Sequence, residues 1–191
     1  MGFYSFIDKR AERALVDITN IFQNNIPIIS KEKNEILFDG SQYGAIQLKA
    51  YHRKINKLMG LVYIYTWRLE WQGLPLSEHI KLQLNYASGF RKNPQFVSSS
   101  GHQELADILN NNKEIIDICH LIDFEKIEIY FNQENQNWLV DFAPNYGDYI
   151  TVLIPPIFYA RKPNQEEVKG TVQLINLIGK YIKSVQKGVI I

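Results

Sequence analysis

Cysteine is almost absent from this chain of 191 residues, which contains Cys119 alone. One thiol cannot close an intrachain disulfide or supply a two-cysteine metal motif, so folds that depend on either are excluded. The first residues also lack the basic start and the unbroken apolar stretch of a secretory signal peptide. Both absences fit a reducing compartment, and a cytoplasmic location is the expectation.

Long apolar runs and an excess of one charge are absent as well. No stretch of about 18 apolar residues occurs, so the sequence predicts no membrane-spanning helix and no membrane partner. The formal net charge is +1, which gives the chain no overall attraction to nucleic acid. With 46% hydrophobic and 21% charged residues, the composition is that of a soluble globular chain with a core of its own.

Catalytic and cofactor motifs are missing too. The four histidines are scattered and have no metal-ligand spacing. Cys119 is followed by His120, but adjacent side chains on a helix point about 100° apart, which suits a nucleophile and its base poorly. No glycine-rich phosphate loop follows a predicted strand. The sequence therefore predicts no cofactor, no metal and no catalytic residue, and it leans against an enzyme.

What the chain does have is a strand-like aromatic run, VYIYTWRLEW, at residues 62–71. A strand places alternate side chains on opposite sides. One side of this run, called here the aromatic ladder, carries Tyr63, Tyr65, Trp67, Leu69 and Trp71. Four large aromatic side chains exceed the apolar patch that a monomer normally exposes, so they must fill a core or line a ligand pocket.

The neighbouring predicted strands favour the core. Both alternate between apolar and polar residues, and their apolar sides need an apolar neighbour on the central strand. These sides carry Ile46, Leu48 and Ala50 before the run and Ile80, Leu82 and Leu84 after it. We therefore expect the ladder to face helices. The alternative is a pocket between sheet and helices, lined by Tyr63, Tyr65 and Trp67, in a carrier of an apolar ligand or a small enzyme.

The opposite side of the same strands is polar and slightly basic. It presents Lys49, Arg68 and Lys81, which are candidate residues for binding a ligand or partner. In the second half of the chain the matching side carries Glu128 and Asp141, so the two halves differ in charge. Because a duplex-binding surface needs positive charge along its whole length, nucleic acid is disfavoured as a partner.

The order of predicted elements is helix, strands, linker, helix, strands, helix. It predicts one α+β domain over residues 1–191, with a curved antiparallel sheet of about six to eight strands and helices packed on one face. It also suggests an imperfect duplication, with halves 1–95 and 96–191 joined by a linker near 89–100. At the level of fold, this arrangement is similar to the TATA-binding-protein-like saddle and to helix-grip folds.

Local patterns add three boundaries. Residues 52–57 predict a polar connection between strands, 110–112 predict a break between helices, and Asn164 with Glu167 predicts the capped start of the last helix.

A second apolar feature is the predicted strand Tyr149–Tyr159, which is apolar on both sides and contains Pro155 and Pro156. It is a candidate surface for self-association or for a protein partner. Together with the missing catalytic motifs, it predicts a small non-catalytic binding or protein-interaction domain.

Overall fold

The computed structural model describes residues 3–74, 79–87, 93–152 and 157–188. Within these ranges the chain has four α-helices and ten strands, which confirms the predicted α+β class. The helices are α1 (Phe3–Phe22), α2 (Gln103–Asn111), α3 (Lys113–Ile122) and α4 (Gln165–Gln186). The strands are β1 (Ile28–Lys31), β2 (Glu35–Phe38), β3 (Gln47–Lys57), β4 (Gly60–Gln72), β5 (Lys81–Ala87), β6 (Asn93–Ser98), β7 (Lys126–Asn132), β8 (Asn137–Ala143), β9 (Tyr149–Val152) and β10 (Ile157–Ala160).

The strands form one antiparallel sheet in the order β1-β2-β3-β4-β8-β7-β5-β6. Strand β4 changes partner along its length: residues 67–72 pair with β8, and residues 60–63 pair with β9, which in turn pairs with β10. The hairpin β5–β6 lies beyond β7, at the far edge.

The sheet has more strands than expected for three reasons, the first of which is that no strand was predicted at residues 28–31, where β1 lies. The predicted strand Tyr149–Tyr159 is a hairpin, β9–β10, whose connection at 153–156 lies outside the described residues. Residues 93–98 of the expected linker form β6, while 88–92 also lie outside the described residues. The boundary expected between residues 95 and 96 falls inside β6, and β8 and β7 of the second expected half lie between β4 and β5 of the first.

Strand β3 is longer than predicted, and the expected connection at 52–57 is wrong. These residues continue the strand and pair with β4 from His52 opposite Tyr65 to Lys57 opposite Gly60. Polar side chains dominate this end of the strand, so no apolar alternation marks it. Ile46, expected in the core, precedes β3 and is 57% exposed, while its N–H donates to the Glu70 carbonyl at 2.8 Å.

The aromatic ladder is buried, which confirms its assignment to the core. Trp67 has no exposed surface, and its ring packs edge-on against Phe22 of α1 with centroids 5.1 Å apart. The rings of Phe38 on β2 and Phe142 on β8 also pack against the indole. Since α1 to α4 contribute to the same apolar cluster, the ladder side of the sheet is the helix-covered side, and the other side is called here the open face.

The helix boundaries follow the polar residues that satisfy free backbone groups. The side chain of Asn164 accepts from the N–H of Glu167, whose carboxylate accepts from the N–H of Asn164, so the predicted capping box of α4 is confirmed. Asn112 ends α2 and caps α3, accepting from the N–H of Ile115, which confirms the predicted break. Among the described helices, none is long and apolar enough to cross a bilayer.

The connection from β8 to β9 supplies a hydrogen-bond acceptor to the part of β4 that lies between its two partner strands. Residues 64–66 lie between the two pairings, and the carboxylate of Asp148 accepts from the N–H of Tyr65 at 2.8 Å. Gly147 has a φ of +90°, and a Cβ there would lie 2.6 Å from the ring of Tyr65, so only glycine fits. Tyr146 inserts between α1 and α4, where its hydroxyl lies 2.6 Å from that of Thr171.

Candidate functional site

The helix-covered side of β3 changes from apolar to polar along the strand. Leu48 and Ala50 are buried in the core, but the next two positions on that side are His52 and Lys54. Helix α1 faces them with Asp8 instead of a large apolar residue. Because polar groups occupy both packed surfaces, an open pocket of about 290 Å³ remains between α1, β3 and β4, called here the polar pocket.

A hydrogen-bonded group of three side chains forms one wall of the polar pocket. The carboxylate of Asp8 accepts from the ammonium of Lys54 at 2.7 Å and from the hydroxyl of Tyr63 at 2.5 Å. The bond from Lys54, followed by that from Tyr63, lowers the pKa of Asp8 below its ordinary value. Burial raises the pKa of Tyr63, so its hydroxyl stays protonated and donates to Asp8.

His52 closes the inner end of the polar pocket. Its Nε2 lies 3.0 Å from the carbonyl oxygen of Gly147, to which it donates. Burial lowers the pKa of His52 to about 4, although the carbonyls of Gly147 and Ala11 favour the charged ring. The imidazole is therefore neutral near pH 7, and it lines the inner end of the pocket as an uncharged polar group.

The outer rim of the polar pocket is more exposed. It consists of Glu12 on α1 with Lys33 and Asn34 from the turn between β1 and β2. The ammonium of Lys33 lies 3.9 Å from the carboxylate of Glu12, and the Lys33 side chain is 76% exposed. This contact is at the limit of an ion pair, so both groups are free to rearrange around a ligand.

The structure separates the three aromatic candidates. Tyr65 and Trp67 have no exposed surface and fill the core, whereas Tyr63 contributes to the polar pocket. The space beside Tyr63 is lined by charged and polar groups together with Ala11 and Leu15, whereas the carrier of an apolar ligand would need an apolar cavity.

The three basic candidates lie on the open face, each bound to a carboxylate. Arg68 makes a bidentate pair with Asp141, with Nε–Oδ1 and Nη2–Oδ2 distances of 2.7 and 2.6 Å. Lys49, which is opposite Arg68 in the register, donates to Glu35 at 2.8 Å.

Lys81 lies three strands away from Arg68, so the candidates do not form one cluster. It approaches Glu128 at 3.3 Å, and Lys126 approaches the same carboxylate at 2.7 Å. Because each of the three candidate side chains is paired with a carboxylate, these three offer little free charge for binding phosphates.

The hairpin β9–β10 carries three consecutive exposed apolar side chains. Ile157, Phe158 and Tyr159 on β10 are 51%, 36% and 54% exposed. Phe158 points to the helix-covered side, where the guanidinium of Arg10 lies 4.5 Å from its ring centre. On the open face, an apolar row crosses four strands through the register partners Ile55, Val62, Ile150 and Tyr159.

Two of the three edge strands are protected against pairing with another chain. On β6, the side-chain amide of Asn110 accepts from the N–H of Phe96 at 2.7 Å and donates to its carbonyl at 2.9 Å, occupying the outer edge. Pro94 also removes a donor from this strand. β1 has an irregular register between Ile28 and Ser30 and ends in a charged lysine.

The third edge strand, β10, has none of these features. Its four residues pair with β9 in a regular register and include no charge and no proline. In the part of the chain that the structure describes, β10 has no second partner strand.

Catalytic and metal-binding groups remain weak candidates. Cys119 is fully buried, and burial raises the pKa of its thiol to about 12, so it is no thiolate near pH 7. Among the described residues, no three histidine, cysteine or acidic side chains converge as a metal site.

Except for Tyr63, the polar and charged residues of the polar pocket were missed by the sequence analysis. Asp8 belongs to the polar side of a helical pattern, and His52 and Lys54 were assigned to a connection. The available indication was the succession Leu48, Ala50, His52, Lys54 at alternate positions, in which polar residues follow apolar ones on the side that a core requires.

A family model described as a protein of unknown function (DUF3156) matches residues 22–182. The match covers the whole sheet, α2, α3 and most of α4, but only the last residue of α1. The strand side of the polar pocket therefore lies inside the matched region, and its helix side, with Asp8 and Glu12, lies outside. No curated protein and no solved structure matches the chain.

Proposed function

The chain belongs to the DUF3156 family of proteins of unknown function, and we propose that it is a non-catalytic protein-interaction domain that pairs with a second copy through β10. The observation that carries this proposal is the contrast between edges. Asn110 and Pro94 protect β6, and a register irregularity with a charged end protects β1, whereas β10 is regular, uncharged and apolar. Natural sheets normally block such an edge unless it has a partner.

A second copy suits this edge better than a charged partner does. A strand that pairs with itself about a two-fold axis is antiparallel, which is the orientation of every strand pair described in this sheet. Since Ile157–Ala160 has no charged side chain, self-pairing brings no like charges together.

The open face supports the same partner. Self-pairing of β10 extends the apolar row that ends at Tyr159 into the row of the second copy, so that apolar surface is covered on both sides of the axis. A contact of four residues on each side is small, and we expect a weak dimer with a dissociation constant in the micromolar range. We also propose a cytoplasmic location, which rests on the sequence alone.

Sedimentation equilibrium from about 1 to about 100 µM tests the proposal. We expect a reversible monomer–dimer equilibrium that Ile157→Lys abolishes, because lysine on an edge strand opposes pairing. Ile29→Lys is the matched control, since Ile29 is also an exposed isoleucine on a short edge strand.

Hydrogen exchange identifies the surface. The amides of 157–160 should gain protection as concentration rises, while those of β1 should not. A wild-type chain that stays monomeric at about 100 µM, or a dimer that Ile157→Lys leaves intact, would refute pairing through β10.

A further inference from the structure

The polar pocket has no part in pairing through β10, yet it places ionisable groups where the fold would otherwise pack apolar ones. His52, which is half-buried, and Lys54, which is exposed, follow Leu48 and Ala50 on the helix-covered side of β3. Polar groups at such positions forgo the stabilisation of apolar burial, and departures of this kind from an apolar core are concentrated at functional sites. The volume of about 290 Å³ is close to that of small-molecule pockets.

The charges of the polar pocket are balanced and close together. Two carboxylates, from Asp8 and Glu12, face two ammonium groups, from Lys33 and Lys54. A ligand that carries only positive charge would be repelled by the two ammonium groups, and one that carries only negative charge would be repelled by the two carboxylates. A ligand that carries both signs can satisfy both, so the charge pattern favours a zwitterion.

The four charged groups differ in how firmly they are already held. The Oδ1 of Asp8 accepts from Lys54 at 2.7 Å and from Tyr63 at 2.5 Å, so this carboxylate is already held in place by the protein. Glu12 and Lys33 meet only at 3.9 Å, and the Lys33 side chain is 76% exposed. These two groups are therefore the ones that a ligand can engage at low cost.

We propose that the polar pocket binds a small zwitterion of the α-amino acid class. Its ammonium group binds the carboxylate of Glu12, and its carboxylate binds the ammonium of Lys33 and the side-chain amide of Asn34. The Asp8–Lys54–Tyr63 group forms the wall behind the ligand. Neutral His52 at the inner end offers a ring without charge to the side chain of the amino acid.

Ligand binding is tested on the full chain with the twenty proteinogenic amino acids, each at about 10 mM, by thermal shift and by NMR titration. We expect at least one to raise the unfolding temperature and to shift the amide signals of α1 and β3. The strongest binder is then compared with the amine and the acid that result from deleting one of its charged groups. We expect each analogue to bind at least tenfold more weakly, because a charge-assisted hydrogen bond is lost.

Two variants assign the roles. Glu12→Gln and Lys33→Met should each weaken binding roughly tenfold or more while leaving the unfolding midpoint almost unchanged, since both side chains are on the rim. Glu134→Gln and Lys57→Met, which make the same changes away from the pocket, should bind as the wild type does.

Three outcomes would overturn the proposal: no binding of any amino acid at about 10 mM, equal affinity for an analogue with one charge, or unchanged affinity in both rim variants. Sedimentation of the same samples reports pairing through β10 separately, so a failure of one proposal is distinguishable from a failure of the other.

Discussion

Asn110 of α2 is expected to stabilise the fold by occupying the outer edge of β6. Its side-chain amide makes two hydrogen bonds to the backbone of Phe96, one accepted at 2.7 Å and one donated at 2.9 Å. The amide thus takes the place that a further strand would occupy. Asn110→Ala removes both bonds and leaves the N–H and the carbonyl of Phe96 to solvent.

The size of the effect follows from these two bonds. Each contributes about 1 kcal/mol net, so their loss costs about 2 kcal/mol. Alanine is the better helix former by about 0.6 kcal/mol, which offsets part of the loss and leaves about 1.4 kcal/mol. For a chain of this length we expect the unfolding temperature to fall by about 3–6 °C.

Asn111→Ala is the matched control for this measurement. Asn111 is the exposed neighbour in the same helical turn, so its replacement brings the same gain in helix propensity without loss of an edge bond. Guanidinium unfolding followed by circular dichroism should separate the two variants by about 2 kcal/mol. A separation below about 0.5 kcal/mol would show that the amide does not stabilise the edge, and it would weaken the contrast on which pairing through β10 rests.

The acid response gives two more predictions, and the core gives a third. As pH falls from about 6.5 to about 4, the wild type should lose up to roughly 3 kcal/mol of stability through His52, because its ring is neutral in the native state and protonated on unfolding. His52→Gln should abolish this part of the loss. Asp148→Asn should steepen that loss, since burial raises the pKa of Asp148 to about 6 and the native state gains stability as it takes up the proton. Denaturant unfolding at several pH values checks both, and parallel profiles for the wild type and the two variants would contradict them. Trp67→Ala should cost about 3–5 kcal/mol by the same assay, and a cost below about 1 kcal/mol would contradict its place in the core.

The ladder could be predicted from the sequence because its information is local. Alternation over ten residues fixes which side chains share a face, and only one face of that strand was apolar throughout. The capping box at Asn164 and the break at Asn112 are equally local, since each depends on side chains within a few residues of the backbone groups that they satisfy.

The strand order and the polar pocket could not be predicted in this way. The pairing of β5 with β7 depends on which distant strands meet, and alternation within a strand does not encode that choice. The pocket joins Asp8 to Lys54 across 46 positions of sequence, and each belongs to a segment that is unremarkable by itself. The hairpin β9–β10 was predicted as one strand because residues that are apolar on both sides have no period that could mark a reversal.

The position of β8 and β9 next to β4 affects how the chain can fold during its synthesis. During synthesis, β4 emerges well before either partner on that side, and α4, which covers the end of the ladder near Trp71, emerges last. The end of the ladder near Trp71 therefore stays uncovered until residues 165–186 have left the ribosome, although α1 is available earlier to pack against Trp67. An exposed aromatic surface of this kind favours chaperone binding and aggregation. Pairings across such long stretches of chain also slow folding. We therefore expect a chain truncated before β8 to be degraded by proteases and not to fold as a smaller domain.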